Sequence, residues 1–183
     1  MSEDTSDRRG FFRQFLKRVV DDTGTTTLEP VISWYDQSAR GYTSVKVCTW
    51  DRPGLFTTIS GALAAAGLNI LSARVFSRGD GIIIDTFSVV NTRTGGLAKR
   101  PERDAFKKWL NQALLPGDSP DFEQQITALT KPRHLAEWEL PTRIRIDTES
   151  AESRTIIEVE SEDRLGLLYR ISKVLTRNRL SIH

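Results

Sequence analysis

The sequence predicts an α+β fold with helices laid on an antiparallel sheet, and three features carry that prediction. From residue 43 to 147, β-rich stretches and helical periodicity follow in the order β-α-β-β-α-β. Arg78-Gly79-Asp80-Gly81 divides two β-rich runs with a hairpin turn. A strand-to-helix joint, Asp51-Arg52-Pro53-Gly54-Leu55-Phe56, recurs near the end as Asp163-Arg164-Leu165-Gly166-Leu167-Leu168. Two helices on one face of a four-stranded antiparallel sheet is the ferredoxin-like arrangement.

The elements are justified in order. Residues 1–10 are polar, and Phe11, Phe12, Phe15, Leu16, Val19 and Val20 form a helical stripe with Arg13, Lys17 and Arg18 off it. Such a helix can lie on a membrane surface or dock on protein, and docking is the favoured reading. Residues 1–29 are thus a tail, an amphipathic helix and a linker. Pro30 to Asp36 is strand-like, as is 43–50. Leu55, Ile59, Leu63 and Ala66 mark one face of a helix over 53–66, stopped by Gly67. Strands follow over 69–77 and 82–90, the latter with Ile83, Phe87 and Val89 on one face; Asp85 shares that face and is read as lying near an edge. A helix opens at Pro101 and stops at Pro116, with Phe106, Trp109 and Leu110 in its stripe. Segment 117–140 is polar, with room for a short helix begun by Ser119-Pro120. Strands over 142–147 and 155–160 and a final helix complete the chain. The expected division is a first unit over 30–148, with its preceding strand, and an incomplete second unit over 149–183.

Composition narrows the function classes. Of the 183 residues, 38% are hydrophobic and 27% charged, and no apolar run approaches a membrane span. A net charge of +2 argues against nucleic acid. The single cysteine, Cys48, excludes an internal disulfide and fits a reducing compartment. With only His134 and His183 beside it, no zinc cluster can be assembled from Cys and His, and no cofactor is expected. The N-terminus lacks a signal-peptide pattern, so a cytoplasmic protein without membrane partners is expected.

Taken alone, the joint has two readings. It is a capped turn in which Asp51 caps, Pro53 presets φ and Gly54 permits close contact, or it is a helix start that holds a carboxylate on its N–H groups. Its repetition favours the second. Placing Asp51 on Asp163 also places Val45 and Val47 on Ile157 and Val159, Leu63 on Leu175 and Ile70 on Ile182. Pro30 to Asp36 likewise resembles Pro141 to Asp147.

Asp51-Arg52-Pro53-Gly54-Leu55, followed by Gly67-Leu68-Asn69-Ile70, resembles the signature of the ACT domain family, small regulatory modules that usually bind amino acids. Over residues 30–183 the chain looks most like the paired C-terminal ACT units of the bacterial protein-PII uridylyltransferase/uridylyl-removing family, cut off within the second unit. Asp85-Thr86-Phe87-Ser88-Val89 and the link Arg133-His134-Leu135 carry that likeness. The resemblance implies glutamine sensing, in which bound glutamine favours removal of uridylyl groups from PII. It implies a ligand site of Asp51, Arg52, Pro53, Gly54 and Leu55, with Asn69 and Ile70 opposite. N–H groups around Gly54 to Phe56 would take the ligand's carboxylate, and Asp51 and Asn69 its ammonium or amide. Arg52 is expected to face solvent, and Asn69 reads equally as a turn residue. A second, incomplete site would comprise Asp163, Gly166 and Leu167; Leu165 replaces the proline there, loosening the helix start, and Ser181 stands where Asn69 stands. The implied partners are an amino acid, another ACT unit in cis or trans, and PII through the parent enzyme.

No catalytic motif stands out. Asp21-Asp22 lacks the Gly-Ser turn of a nucleotidyltransferase, His134 lacks the following Asp of an HD site, and Ser60, Ser72 and Cys48 have no His in a triad motif. The chain alone is therefore not expected to be an enzyme. Two alternatives stay open: a stand-alone interaction or oligomerisation module, and an RNA-binding module of the same element order.

Overall fold

The computed structural model describes Gly10 and residues 29–77, 79–115, 117, 120–130, 141–150 and 154–182. The expected helix over 11–20, the link at Arg133-His134-Leu135, Arg78 and His183 lie outside the described residues. Strands β1 (Val31–Gln37) and β2 (Tyr42–Trp50) lead through the first joint into α1 (Leu55–Ala65). Then come β3 (Leu68–Arg74), β4 (Ile82–Asn91), α2 (Arg100–Leu114) and α3 (Phe122–Leu129). The chain continues through β5 (Arg143–Asp147), β6 (Ile156–Glu160) and, beyond the second joint, α4 (Leu167–Arg177).

The first sheet is antiparallel, in the order β1-β2-β4-β3, and its helix-facing residues Val45, Val47, Ile83, Phe87 and Val89 form the core with Ile59, Leu63, Phe106 and Leu110. This is the expected four-stranded α+β architecture, but one strand comes from elsewhere. The strand at 143–147 does not join the first sheet. It pairs with β6 in a separate two-stranded sheet, Arg143 opposite Glu160 and Asp147 opposite Ile156. The outer place beside β2 belongs to β1, which runs back along β2 from Val31 opposite Cys48 to Gln37 opposite Tyr42. The physical reason is chain length: a tight hairpin, with Gly41 at φ 73°, closes β1 on β2 at little entropic cost, whereas β5 is far away in sequence. Strand, hairpin partner, joint and helix therefore make one unit, built once from β1, β2 and α1 and again from β5, β6 and α4. The strand at 143–147 thus moves from the first unit into the second.

Helix α1 is buried on nearly every side, at Leu55, Ile59, Ser60, Gly61, Ala62, Leu63, Ala64 and Ala65. Its run of small residues lets three helices approach it. Gly61, unfavourable in a helix interior, is required here: a Cβ would fall inside the Phe122 ring contact and 2.9 Å from Tyr169 Cδ2. Segment 117–140, read as polar, supplies α3, whose Asp121 side chain accepts from the Gln124 N–H and whose Phe122 and Ile126 are buried.

Helices α1 and α4 cross antiparallel. Thr57 Oγ1 lies 2.8 Å from Thr176 Oγ1, and Ser60 Oγ lies 3.3 Å from Ser172 Oγ. Ser60 and Ser172 occupy the same position in the two copies, 112 residues apart. Their contact marks a pseudo-twofold axis, the self-complementary packing expected when like meets like. Helix α3 braces the crossing: Phe122 meets Tyr169 edge-on at 5.8 Å, and Arg170 donates to Glu123 at 2.7 Å. The β5–β6 hairpin packs less. Its charged face pairs Arg143 with Glu160 and Arg145 with Glu158, while Ile144 and Ile146 on the other face are 63% and 67% exposed.

Candidate functional site

Each joint is the same piece of backbone. At the first, Gly54 takes φ 75° and the Leu55 N–H donates to Arg52 O at 3.1 Å; at the second, Gly166 takes φ 81° and the Leu167 N–H donates to Arg164 O at 2.9 Å. Thr58 and Arg170 then donate to the glycine carbonyls at 2.9 and 3.0 Å. Leu165 was expected to loosen the second turn, yet the turn is identical, because the left-handed glycine rather than the proline fixes it. Neither helix has a side-chain cap. Asp51 therefore does not act as the cap; its N–H donates to Gly81 O at 2.7 Å. Among the described residues, the N–H groups of Phe56 and Thr57, and of Leu168 and Tyr169, have no hydrogen-bond acceptor. Two open helix N-termini result.

The structure regroups the expected site residues. Asp51, Arg52, Pro53, Gly54 and Leu55 do line one cavity, of about 580 Å³, but Asn69 and Ile70 are not opposite them. The opposite wall comes from the second copy, Thr176 and Arg179 to Ile182. Asn69 and Ile70 instead face the second joint, lining a cavity of about 460 Å³ with Asp163, Gly166 and Leu167. Asn69 Nδ2 donates to Asp163 Oδ2 at 2.8 Å. The pseudo-twofold axis causes this exchange, since each joint looks across at the start of the other copy's next strand segment. The second site, expected to be incomplete, is supplied by the first copy. Phe56, Val75 and Ile182 line both cavities, so the two share a wall. Both volumes suit a small molecule. Arg52 is half-buried rather than turned to solvent: its Nη1 donates to Leu114 O at 3.1 Å, tying the joint to the end of α2.

Asp85 joins the first cavity, although its parity placed it only on the helix-facing side and an edge position was expected. Strand β4 is central, between β2 and β3, and Asp85 is 2% exposed with Oδ1 unpartnered. Burial pushes its carboxyl up to about 7; the Phe76 backbone N–H opposes that shift and the Asp51 charge reinforces it. The available signal was an acid inside an otherwise apolar row. Among the described residues there is no group of His, Cys, Asp and Glu that could hold a metal ion, and no helix long and apolar enough to cross a membrane.

A four-stranded antiparallel sheet with two open-ended joints defines the class: residues 43–100 match the family model "ACT domain", and the chain carries an ACT domain there. Over most of its length it is homologous to part of the bifunctional uridylyltransferase/uridylyl-removing enzymes. It is 35% identical over 165 residues to that of Rhodospirillum rubrum, covering 88% of this chain and 17% of the enzyme. With that of Azospirillum brasilense it shares 33% over 148 residues (78% and 15%), and with that of Gluconobacter oxydans 30% over 166 residues (90% and 18%). The chain thus spans less than a fifth of the length of these relatives. No solved structure gives a significant match.

Proposed function

We propose that this chain is the regulatory, amino-acid-sensing region of a cytoplasmic uridylyltransferase/uridylyl-removing enzyme acting on PII, with glutamine as the ligand. Catalysis then belongs to the much longer remainder of such an enzyme, and this chain supplies the control. The observation that carries the reading is the pair of joints: each presents an open helix N-terminus to a cavity walled by the other copy. An α-amino acid offers what such a cavity needs, a carboxylate for the helix end and an ammonium or amide for Asp51 or for Asn69 and Asp163. Calorimetry on the purified chain tests it. Saturable heat with glutamine is expected, and none at millimolar glutamine with the fold intact overturns the reading.

The interaction-module reading keeps one support, the exposed apolar face of the β5–β6 hairpin. RNA binding has less: on the sheet face away from the helices β4 carries only Ile82, Ile84, Thr86, Ser88 and Val90. Trp50 of β2 is packed against Val31, Cys48, Ile82 and Ile84, and Tyr35 stands on the outer strand β1, so no central-strand pair of free aromatics is presented to a base.

A further inference from the structure

We infer that Asp85 reads the cationic end of the ligand in the first cavity: it holds an ammonium jointly with Asp51, while the carboxylate of the same small molecule lies against the open N–H group of Phe56. This deepens the amino-acid-binding reading and rests on it.

The argument begins with a residue that packing does not call for. The other helix-facing residues of β4 near it, Ile83, Phe87 and Val89, are apolar and belong to the core, and Val47 lies opposite Asp85 in register. A carboxylate at that position, 2% exposed with one oxygen unpartnered, is a costly group to bury. It also lines the wall of a ligand-sized cavity whose mouth carries a second carboxylate, Asp51. Two acids that repel each other in the empty cavity become partners once a cation lies between them.

The charged groups facing that position are few. From the joint come Asp51 and Arg52, the latter with its guanidinium on the Leu114 carbonyl. From the segment after α4 comes Arg179, which lines the same cavity and holds φ 59°. The matching position in the first copy is Gly67, at φ 77°. A side chain kept in the left-handed region where its counterpart is glycine is strained, and strain of this kind gathers at binding sites. Arg179 offers a positive group to the ligand's carboxylate, opposite in sense to the two acids. The second cavity also has a cation in its wall, Arg164, but its acid, Asp163, is exposed and already bonded to Asn69, and among the described residues no buried acid corresponds to Asp85 there. The first cavity is thus the one that offers an ammonium a buried carboxylate oxygen without a partner.

The test is calorimetry on the whole chain with glutamine and with its des-amino analogue 4-carbamoylbutanoate. Asp85→Asn keeps the shape and removes the charge. It is expected to weaken glutamine roughly tenfold or more at the first cavity, as the loss of a charged hydrogen bond should, and to leave the analogue within about twofold. Because burial holds the empty Asp85 carboxyl up to about 7, glutamine binding near neutral pH should release a proton, seen as a heat that varies with the buffer, and Asp85→Asn should abolish that release. Unchanged glutamine affinity, or equal loss of both compounds, overturns the inference and leaves the amino-acid reading standing. A wild-type chain that binds no amino acid overturns both. If circular dichroism shows Asp85→Asn unfolded, the wild-type chain decides: an analogue that binds as tightly as glutamine, or a glutamine heat near neutral pH that does not vary with the buffer, overturns the inference.

Discussion

At the first joint Gly54 lies beneath Thr176 of α4, whereas at the second Gly166 lies beneath Ile126 of α3. The two turns share their φ angles and hydrogen bonds, yet one is closed by the other copy and one by the helix that links the copies. The difference teaches that the joint sequence sets local geometry only. What each joint can bind depends on what is packed over it, and that is set by α1 accepting α3 and α4 on its row of small residues.

Removing the brace breaks the comparison most severely. Phe122→Ala deletes the ring that packs on Gly61 and Tyr169, and should cost about 3–5 kcal/mol, read from denaturant unfolding, with faster hydrogen exchange in α4 than in β2. A smaller effect sharpens it. Gly54→Ala and Gly166→Ala should each lose about 1–2 kcal/mol from the left-handed turn, with Gly166→Ala slightly the worse because its Cβ would meet two Ile126 carbons, at 3.0 and 3.1 Å, where that of Gly54 would meet one Thr176 carbon at 3.1 Å. Equal losses would mean that the covering residue does not matter. The smallest effect has the opposite sign: Arg179→Gly, which restores the residue of the first copy, should raise thermal stability by up to about 1 kcal/mol while weakening ligand binding.

Much of this was legible in the sequence. The aspartate-to-leucine joint, its repeat and the alternation of β4 gave the architecture, and the residues of both joints do line cavities. The source of the outer strand was misread by following β-α-β-β-α-β forward along the chain, although the likeness of 30–36 to 141–147 already placed both strands ahead of their units. Helix α3 was faint because only Phe122 and Ile126, a single i, i+4 pair, mark its buried face. The exchange of Asn69 and Ile70 between sites was beyond local pattern, since it follows from how two helices cross.

The contact between Ser60 and Ser172 has a thermodynamic consequence. Neither cavity exists within one copy, so anything bound in either one also clasps the copies together. A ligand present at a hundred times its dissociation constant adds about 2.7 kcal/mol to that clasp. With the proposed ligand bound, the crossing of α1 and α4 would make the concentration of a small molecule set how firmly the two copies hold together.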